Sequence, residues 1–134
     1  MRRNFDIIIV GAGPAGASLA GELAAKGLTV AILEKEKLPR YKCCAGGLSV
    51  RTAKLLSPEI LSTIENEITG STFTLSGDKS FIRRTSKPVG FTVTRSRFDY
   101  ALTKQAEKAG AVVLEGHQTT GLRTDNQRVH VFNK

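Results

Sequence analysis

Three glycines and one acid carry the first chemical signal. Gly11, Gly13 and Gly16 stand at G-x-G-x-x-G spacing in GAGPAG, and Glu34 follows at the end of the next apolar run. Gly11 permits a turn that a residue with a Cβ resists. Gly13 lets the backbone approach a pyrophosphate, and Gly16 removes a side chain where a helix must lie against a strand. A helix opening at this turn offers N–H donors and its positive end to the anion. The Glu34 carboxylate can accept hydrogen bonds from both hydroxyls of an adenosine ribose. It also repels a 2′-phosphate, which disfavours NADP at this site. A glycine triplet after a strand and before a helix, with an acid at the next strand's end, is a dinucleotide fingerprint.

The elements that must position these groups are legible around them. Ile7 to Val10 is a continuous β-branched run, as expected of a strand buried on both faces. Pro14 and Ala15 open the helix, since proline gives up an N–H that the first turn can spare. The helix is expected from about Pro14 to Lys26, with Gly16, Ala20, Leu23 and Gly27 as a small apolar stripe toward the sheet. Gly27 is placed to end it in a left-handed conformation. Thr29 to Leu33 is the second strand.

The second cluster of chemistry-bearing residues lies in Glu36 to Ser49, EKLPRYKCCAGGLS. Pro39 and the Gly46-Gly47 pair exclude regular structure, and Lys37, Arg40 and Lys42 make the loop basic. The residues alone leave two readings: a plain surface loop, or a backbone that approaches something flat or anionic. Cys43 and Cys44 are adjacent and form no disulfide framework, which agrees with a reducing compartment. The usual fate of a free cysteine is that of a small buried hydrophobe. Reactivity requires a depressed pKa, which Arg40 and Lys42 can provide.

Downstream, Ser49 to Leu56 reads as a short helix, and Ser57-Pro58 opens another expected to reach about Asn66. Thr, Phe, Ile and Val then dominate. Strands are expected near Ile68–Ser76, Ser80–Ser86 and Gly90–Thr94, with a turn at Gly77-Asp78-Lys79. Arg95 to Ala109 reads as a second long helix, with Phe98, Ala101, Leu102, Ala106 and Ala109 on its apolar side. Ala111 to Glu115 is expected as a third parallel strand after a right-handed crossover. Gly121 to Asn133 reads as a hairpin. Arg95 permits two readings: a solvated first-turn arginine, or a guanidinium that neutralises pyrophosphate charge. His117 follows Gly116 and reads as a loop residue, so no metal site is expected.

Bulk composition narrows the class. With 134 residues, 40% hydrophobic and 24% charged, one domain with at most a small appendage is expected. The net charge of +8 raises an anionic partner, but the basic residues are scattered and only Arg83, Arg84 and Lys87 cluster. No nucleic-acid motif accompanies them. Arg2 and Arg3 before an uncharged span imitate a secretory signal, yet Asp6 and the glycine turn argue against one. No run is long enough to span a bilayer, and a cytoplasmic protein is expected.

GAGPAG followed by Glu34 and Lys35 resembles the N-terminal fingerprint of FAD-dependent oxidoreductases. By this resemblance the ribose belongs to the adenosine of FAD. The loop P-R-Y-K-C-C-A-G-G-L-S resembles that of the geranylgeranyl reductase family, in which a glycine run lies along the flavin and a cysteine beside the isoalloxazine. Carried over by position, Cys44 takes the cysteine place and Gly46 and Gly47 the last two glycines. Ala45 replaces the usual first glycine, and Cys43 stands where proline is common. T-R-S-R-F-D-Y-A-L is similar to the segment whose arginine, here Arg95, contacts the cofactor. The resemblance thus implies a cofactor-binding set of Gly11, Gly13, Pro14, Ala15, Gly16, Glu34, Lys35, Arg40, Ala45, Gly46, Gly47 and Arg95. Cys44 is the candidate catalytic thiol, which could orient substrate or supply a proton.

The implied fold is α/β: a Rossmann-like FAD-binding βαβ with a parallel sheet, plus a small antiparallel β insert, as in a truncated glutathione-reductase-like FAD fold. Residues 1–66 and 95–134 would form the FAD-binding domain, and 67–94 would begin the substrate domain. The implied activity is reduction of isoprenoid C=C bonds in a prenyl lipid or prenylated pigment, with peripheral membrane contact and NAD(P)H as a candidate electron donor. A flavin monooxygenase and a non-catalytic nucleotide-binding module are the alternatives. Full-length members carry a later G-D-A segment that holds FAD from a second side. Nothing up to Lys134 supplies it, so a piece of a longer protein is expected, or half of a split enzyme with its C-terminal half on another chain. Weak flavin binding follows from that incomplete enclosure.

Overall fold

The computed structural model describes residues 4–75, 77 and 79–134. In chain order the elements are β1 (Ile7–Val10), α1 (Pro14–Ala25), β2 (Val30–Glu34), β3 (Gly47–Ser49), α2 (Val50–Ala53), α3 (Pro58–Leu61) and β4 (Ile64–Ile68). They continue with β5 (Gly70–Leu75), β6 (Lys79–Arg84), β7 (Gly90–Val93), α4 (Arg95–Lys108), β8 (Val112–Glu115), β9 (Thr119–Thr124) and β10 (Val129–Asn133). The chain divides into two compact units, Met1–Tyr41 with Asp99–Lys134, and Lys42–Phe98.

The first unit holds the parallel sheet, in the order β1-β2-β8. Ile7 to Val10 lie beside Val30 to Leu33, and Ala31 to Glu34 lie beside Val112 to Glu115. The middle strand, β2, is buried at all five residues. That burial is the reason it reads as an unbroken apolar run rather than an alternating one. Helix α1 buries Ala17, Ala20 and Ala24. These join Ala12, Val30, Ile32, Ala106 and Ala111 in the core, with Ala17 buried outside the main cluster. Small side chains allow close helix approach: a Cβ added at Gly21 would stand 3.5 Å from the Ala106 Cα. Gly27 adopts φ +87 just beyond the helix end. Strands β9 and β10 form an antiparallel hairpin, closed by Asp125, which accepts from the Gln127 and Arg128 amides at 2.9 and 2.8 Å.

The second unit is built from antiparallel strands. β7 lies between β3 and β4, and β5 pairs with β6 as a separate hairpin. Ser49 caps α2 by accepting from the Thr52 amide, and Ser57 caps α3 with Pro58 in its first turn. The helix expected to reach Asn66 stops at Leu61, and Ile64–Ile68 is a strand instead. The Ser62 and Thr63 hydroxyls bond back to the Glu59 and Ile60 carbonyls, both at 2.7 Å, as the helix closes. The β-branched residues that follow pair with β7 through an irregular register between Ile64 and Asn66. Of the expected Gly77-Asp78-Lys79 turn, Gly77 has φ +84, while Ser76 and Asp78 lie outside the described residues.

Candidate functional site

The glycine turn joins β1 to α1. Gly11 has φ +100 and its amide donates to the Leu33 carbonyl at 2.8 Å, which ties the turn to the end of β2. A Cβ at Gly16 would collide with the Gly11 carbonyl oxygen and stand 3.1 Å from Ile9 Cγ2. The turn can therefore close only with glycine there. Gly13 is the N-cap in an extended conformation with no side-chain cap, and Pro14 follows in the first turn. The first helical bond runs from the Ala17 amide to the Gly13 carbonyl, 2.9 Å. The Ala15 and Gly16 amides thus precede the intrahelical ladder, and no cap side chain is present to take them. A diphosphate satisfies such donors, and the Arg40 Nη2 lies 3.9 Å from where a Cβ on Gly13 would stand.

Glu34 is 3% exposed, and its carboxylate is held at the edge of this turn. Oε2 accepts from the Ala12 amide at 2.9 Å, and Oε1 accepts from the Glu36 amide at 3.1 Å. Arg40 Nε lies 3.5 Å from Oε2. Burial pushes the Glu34 pKa up, but the Ala12 and Glu36 amides and the Arg40 charge outweigh it and hold the carboxyl below its ordinary range. An ionised acid beside the turn is what a ribose diol requires. Lys35 is exposed and forms a loose pair with Glu36 at 3.9 Å.

Arg40 joins Glu34 to a residue that the sequence reading did not single out. Its Nη1 donates to Asp99 Oδ2 at 3.2 Å, and the Asp99 side chain is 1% exposed. The signal was present in α4. Asp99, Leu102, Thr103 and Ala106 share one buried face, and an acid in such a stripe requires a partner.

In the second unit, Cys43 and Cys44 are both exposed and outside any disulfide, so the usual cysteine role as a buried hydrophobe does not apply. Cys44 Sγ accepts from the Gly46 amide at 3.4 Å. Gly46 has φ +70, and a Cβ there would collide with the Val93 carbonyl oxygen. Its glycine is thus required by contact with β7, whose Val93 amide donates to the Gly46 carbonyl at 2.9 Å. Gly47 faces open space, and Ala45 beside it is exposed. Arg95 begins α4 and is half-buried.

A separate cleft of about 720 Å³ in the first unit is lined by Ile8, Leu33 and Leu114 of the sheet and by Arg123, Val131 and Phe132 of the hairpin. It includes no residue of the glycine turn. Among the described residues, no group of histidines, cysteines and acids could hold a metal ion.

Residues 4–133 match the FAD-binding domain family. The chain belongs to that family. Its cofactor is therefore FAD, and the turn and Glu34 have the geometry to hold the adenosine diphosphate half. The FAD-binding chain is 33% identical to a digeranylgeranylglycerophospholipid reductase of Methanocella arvoryzae, over 96% of this chain and 34% of that protein. It is 33% identical to a rifampicin monooxygenase of Streptomyces venezuelae, over 95% of this chain and 28% of that one. A solved geranylgeranyl bacteriochlorophyll reductase-like protein from Thermoplasma acidophilum superposes with a TM-score of 0.79 at 27% identity, covering 96% of this chain and 36% of that one. The chain spans about a third of the length of the curated relatives it matches.

Proposed function

We propose that this FAD-binding chain belongs to an oxidoreductase that reduces isoprenoid C=C bonds in a prenyl lipid or prenylated pigment. The observation that carries the redox reading is the ionised Glu34 beside an uncapped glycine turn within an FAD-binding domain. The substrate reading is supported by the P-R-Y-K-C-C-A-G-G-L-S loop and by the prenyl-reductase relatives.

Bound reduced flavin supplies a hydride to one alkene carbon, and a proton completes the other. The chain's own groups divide the remaining work. Gly11, Gly13, Pro14, Ala15 and Gly16 seat the diphosphate, and Glu34 holds the ribose. Arg40 and Arg95 contribute positive charge, and Lys35 adds charge at the rim. Ala45, Gly46 and Gly47 would line the flavin, and Gly46 is also fixed by β7. Cys44, an exposed thiol, orients substrate or supplies the proton. Residues 1–66 and 95–134 make up the FAD-binding domain, and the antiparallel strands of 67–94 begin the substrate domain. NAD(P)H is the proposed donor of the intact enzyme.

A prenyl-lipid substrate places the working enzyme on the cytoplasmic side, in peripheral contact with a membrane. Among the described residues, no helix is long and apolar enough to cross one. The rifampicin monooxygenase relative favours a second reading, in which O₂ takes the reducing equivalents.

The test is anaerobic. A longer protein carrying this domain, loaded with FAD and reduced by dithionite, is mixed with a geranylgeranyl lipid. Reoxidation of the flavin with saturation of the chain supports the reductase. Reoxidation only on admitting O₂, with oxygenated product, supports the monooxygenase. Binding of ADP-ribose without flavin supports a nucleotide-binding module.

A further inference from the structure

Arg40 is a branched cation with an acid on each of two edges. Nε stands 3.5 Å from Glu34 Oε2, and Nη1 stands 3.2 Å from Asp99 Oδ2. The third edge, Nη2, lies 3.9 Å from where a Cβ on Gly13 would stand, over the cap of α1. Only 13% of the Arg40 side chain is exposed. Its orientation is therefore set by these partners rather than by solvent. Asp99 comes from α4, far along the chain, where the Thr103 hydroxyl donates to its main-chain carbonyl at 2.9 Å. A buried carboxylate is expensive unless it is paired, and the guanidinium fork matches carboxylate geometry.

We propose that Asp99 is a positioning residue for the cofactor. By gripping Arg40 Nη1 it holds the guanidinium so that Nη2 faces the diphosphate seat while Nε braces Glu34 beside the ribose. Asp99 itself stays behind the arginine. One buried acid thereby aims the third edge of the arginine at the anion seat, and a lysine at position 40 could not replace the arginine, since an ammonium lacks the three-edged plane. The inference rests on the dinucleotide reading of this site and deepens it.

The test compares the full chain with Asp99→Asn, Asp99→Glu and Arg40→Lys. Affinities for FAD, ADP and adenosine are measured by titration, alongside the melting temperature of each apo protein. Asp99→Asn is expected to weaken FAD and ADP about ten-fold, the loss of one charge-assisted contact, with adenosine within about two-fold. Arg40→Lys should shift the ADP-to-adenosine ratio alike, and the double substitution should lose no more than either single one. Asp99→Glu, which keeps the charge, should recover part of the loss. Should Asp99→Asn fail to fold, Asp99→Glu decides: an ADP-to-adenosine ratio shifted from the wild type in that charge-keeping variant supports the proposal, and an unshifted ratio overturns it. Equal weakening of ADP and adenosine, additive losses, or unaltered ADP affinity overturns the proposal. A wild-type chain that binds neither FAD nor ADP overturns the dinucleotide reading and takes this inference with it. Wild-type binding that Asp99→Asn leaves unaltered overturns the inference alone.

Discussion

The Glu34 carboxylate accepts a hydrogen bond from the Ala12 amide across 2.9 Å, linking the end of β2 to the glycine turn at the end of β1. The bond does two jobs. It seals the switch from strand to helix, and it fixes an ionised acid at the rim of the anion seat. In the proposed site, stability and cofactor recognition are therefore coupled through one side chain.

The coupling has a pH signature. Glu34 titrates below its ordinary range in the folded chain, so its contribution is fully present above the unfolded glutamate pKa. It is lost as pH falls through the folded value. Acid unfolding followed by circular dichroism should show this limb in the wild type. In Glu34→Gln the melting temperature should change less between pH 6 and pH 3, because the titrating group is gone.

Gly16 tests the turn without touching charge. Gly16→Ala places a methyl against the Gly11 carbonyl. Overpacking of this kind costs about 1–3 kcal/mol. Thermal melts should fall by several degrees, and FAD affinity should fall with them because the first-turn amides shift.

Gly46 and Gly47 separate fold from cofactor. Gly46→Ala meets the Val93 carbonyl and a strained φ, so it should destabilise the Lys42–Phe98 unit and speed its proteolysis, with or without FAD. Gly47→Ala meets open space and should melt as the wild type does. If the Gly47 backbone lies along the flavin, as proposed, that same substitution lowers FAD affinity. Unchanged FAD affinity would remove Gly47 from the site.

The β9–β10 hairpin has its own acid switch. Asp125 is held at a pKa of about 2, first by its hydrogen bond to His130 and then by the Gln127 and Arg128 amides. The unfolded value is about 3.9, so this support is intact above that pH and lost as pH falls toward the folded value. The protection of the Gln127 and Arg128 amides, taken as exchange rate relative to an unstructured peptide at the same pH, should fall between about pH 4 and pH 2. Asp125→Asn should show lower protection at neutral pH and little further change in protection on acidification.

Much of the first unit could be read from local order. The glycine spacing, Pro14 and Gly27 each constrain only their neighbours and have the expected role in α1 and the turn. Ile7–Val10 forms β1 as expected, but at the end of the β1-β2-β8 order, half-buried with Val10 exposed rather than buried on both faces. The hairpin at Gly121–Asn133 was equally local. The boundary at Leu61 was not. Ile60, Leu61 and Ile64 keep helical spacing, but the free edge of β7 recruits Ile64–Ile68, and that pairing is a tertiary fact. The Arg40–Asp99 bond spans 59 positions, so nothing near either residue announced the other. The loop glycines were ambiguous for a different reason. Gly46 is required by the backbone of β7, a demand that looks the same in sequence as a demand made by a ligand.

The most direct measurement is competition for bound FAD by ADP-ribose and by its 2′-phosphorylated counterpart, followed by flavin fluorescence, in the wild type and in Glu34→Ala. The wild type should release FAD to ADP-ribose but resist the 2′-phosphorylated compound. Glu34→Ala should bind FAD about ten-fold or more weakly and lose that discrimination, as removal of a charged hydrogen-bonding partner predicts. A Glu34→Ala protein that binds FAD as tightly as the wild type and still rejects the 2′-phosphate would show that the ribose is held elsewhere, and the account of this site would be wrong.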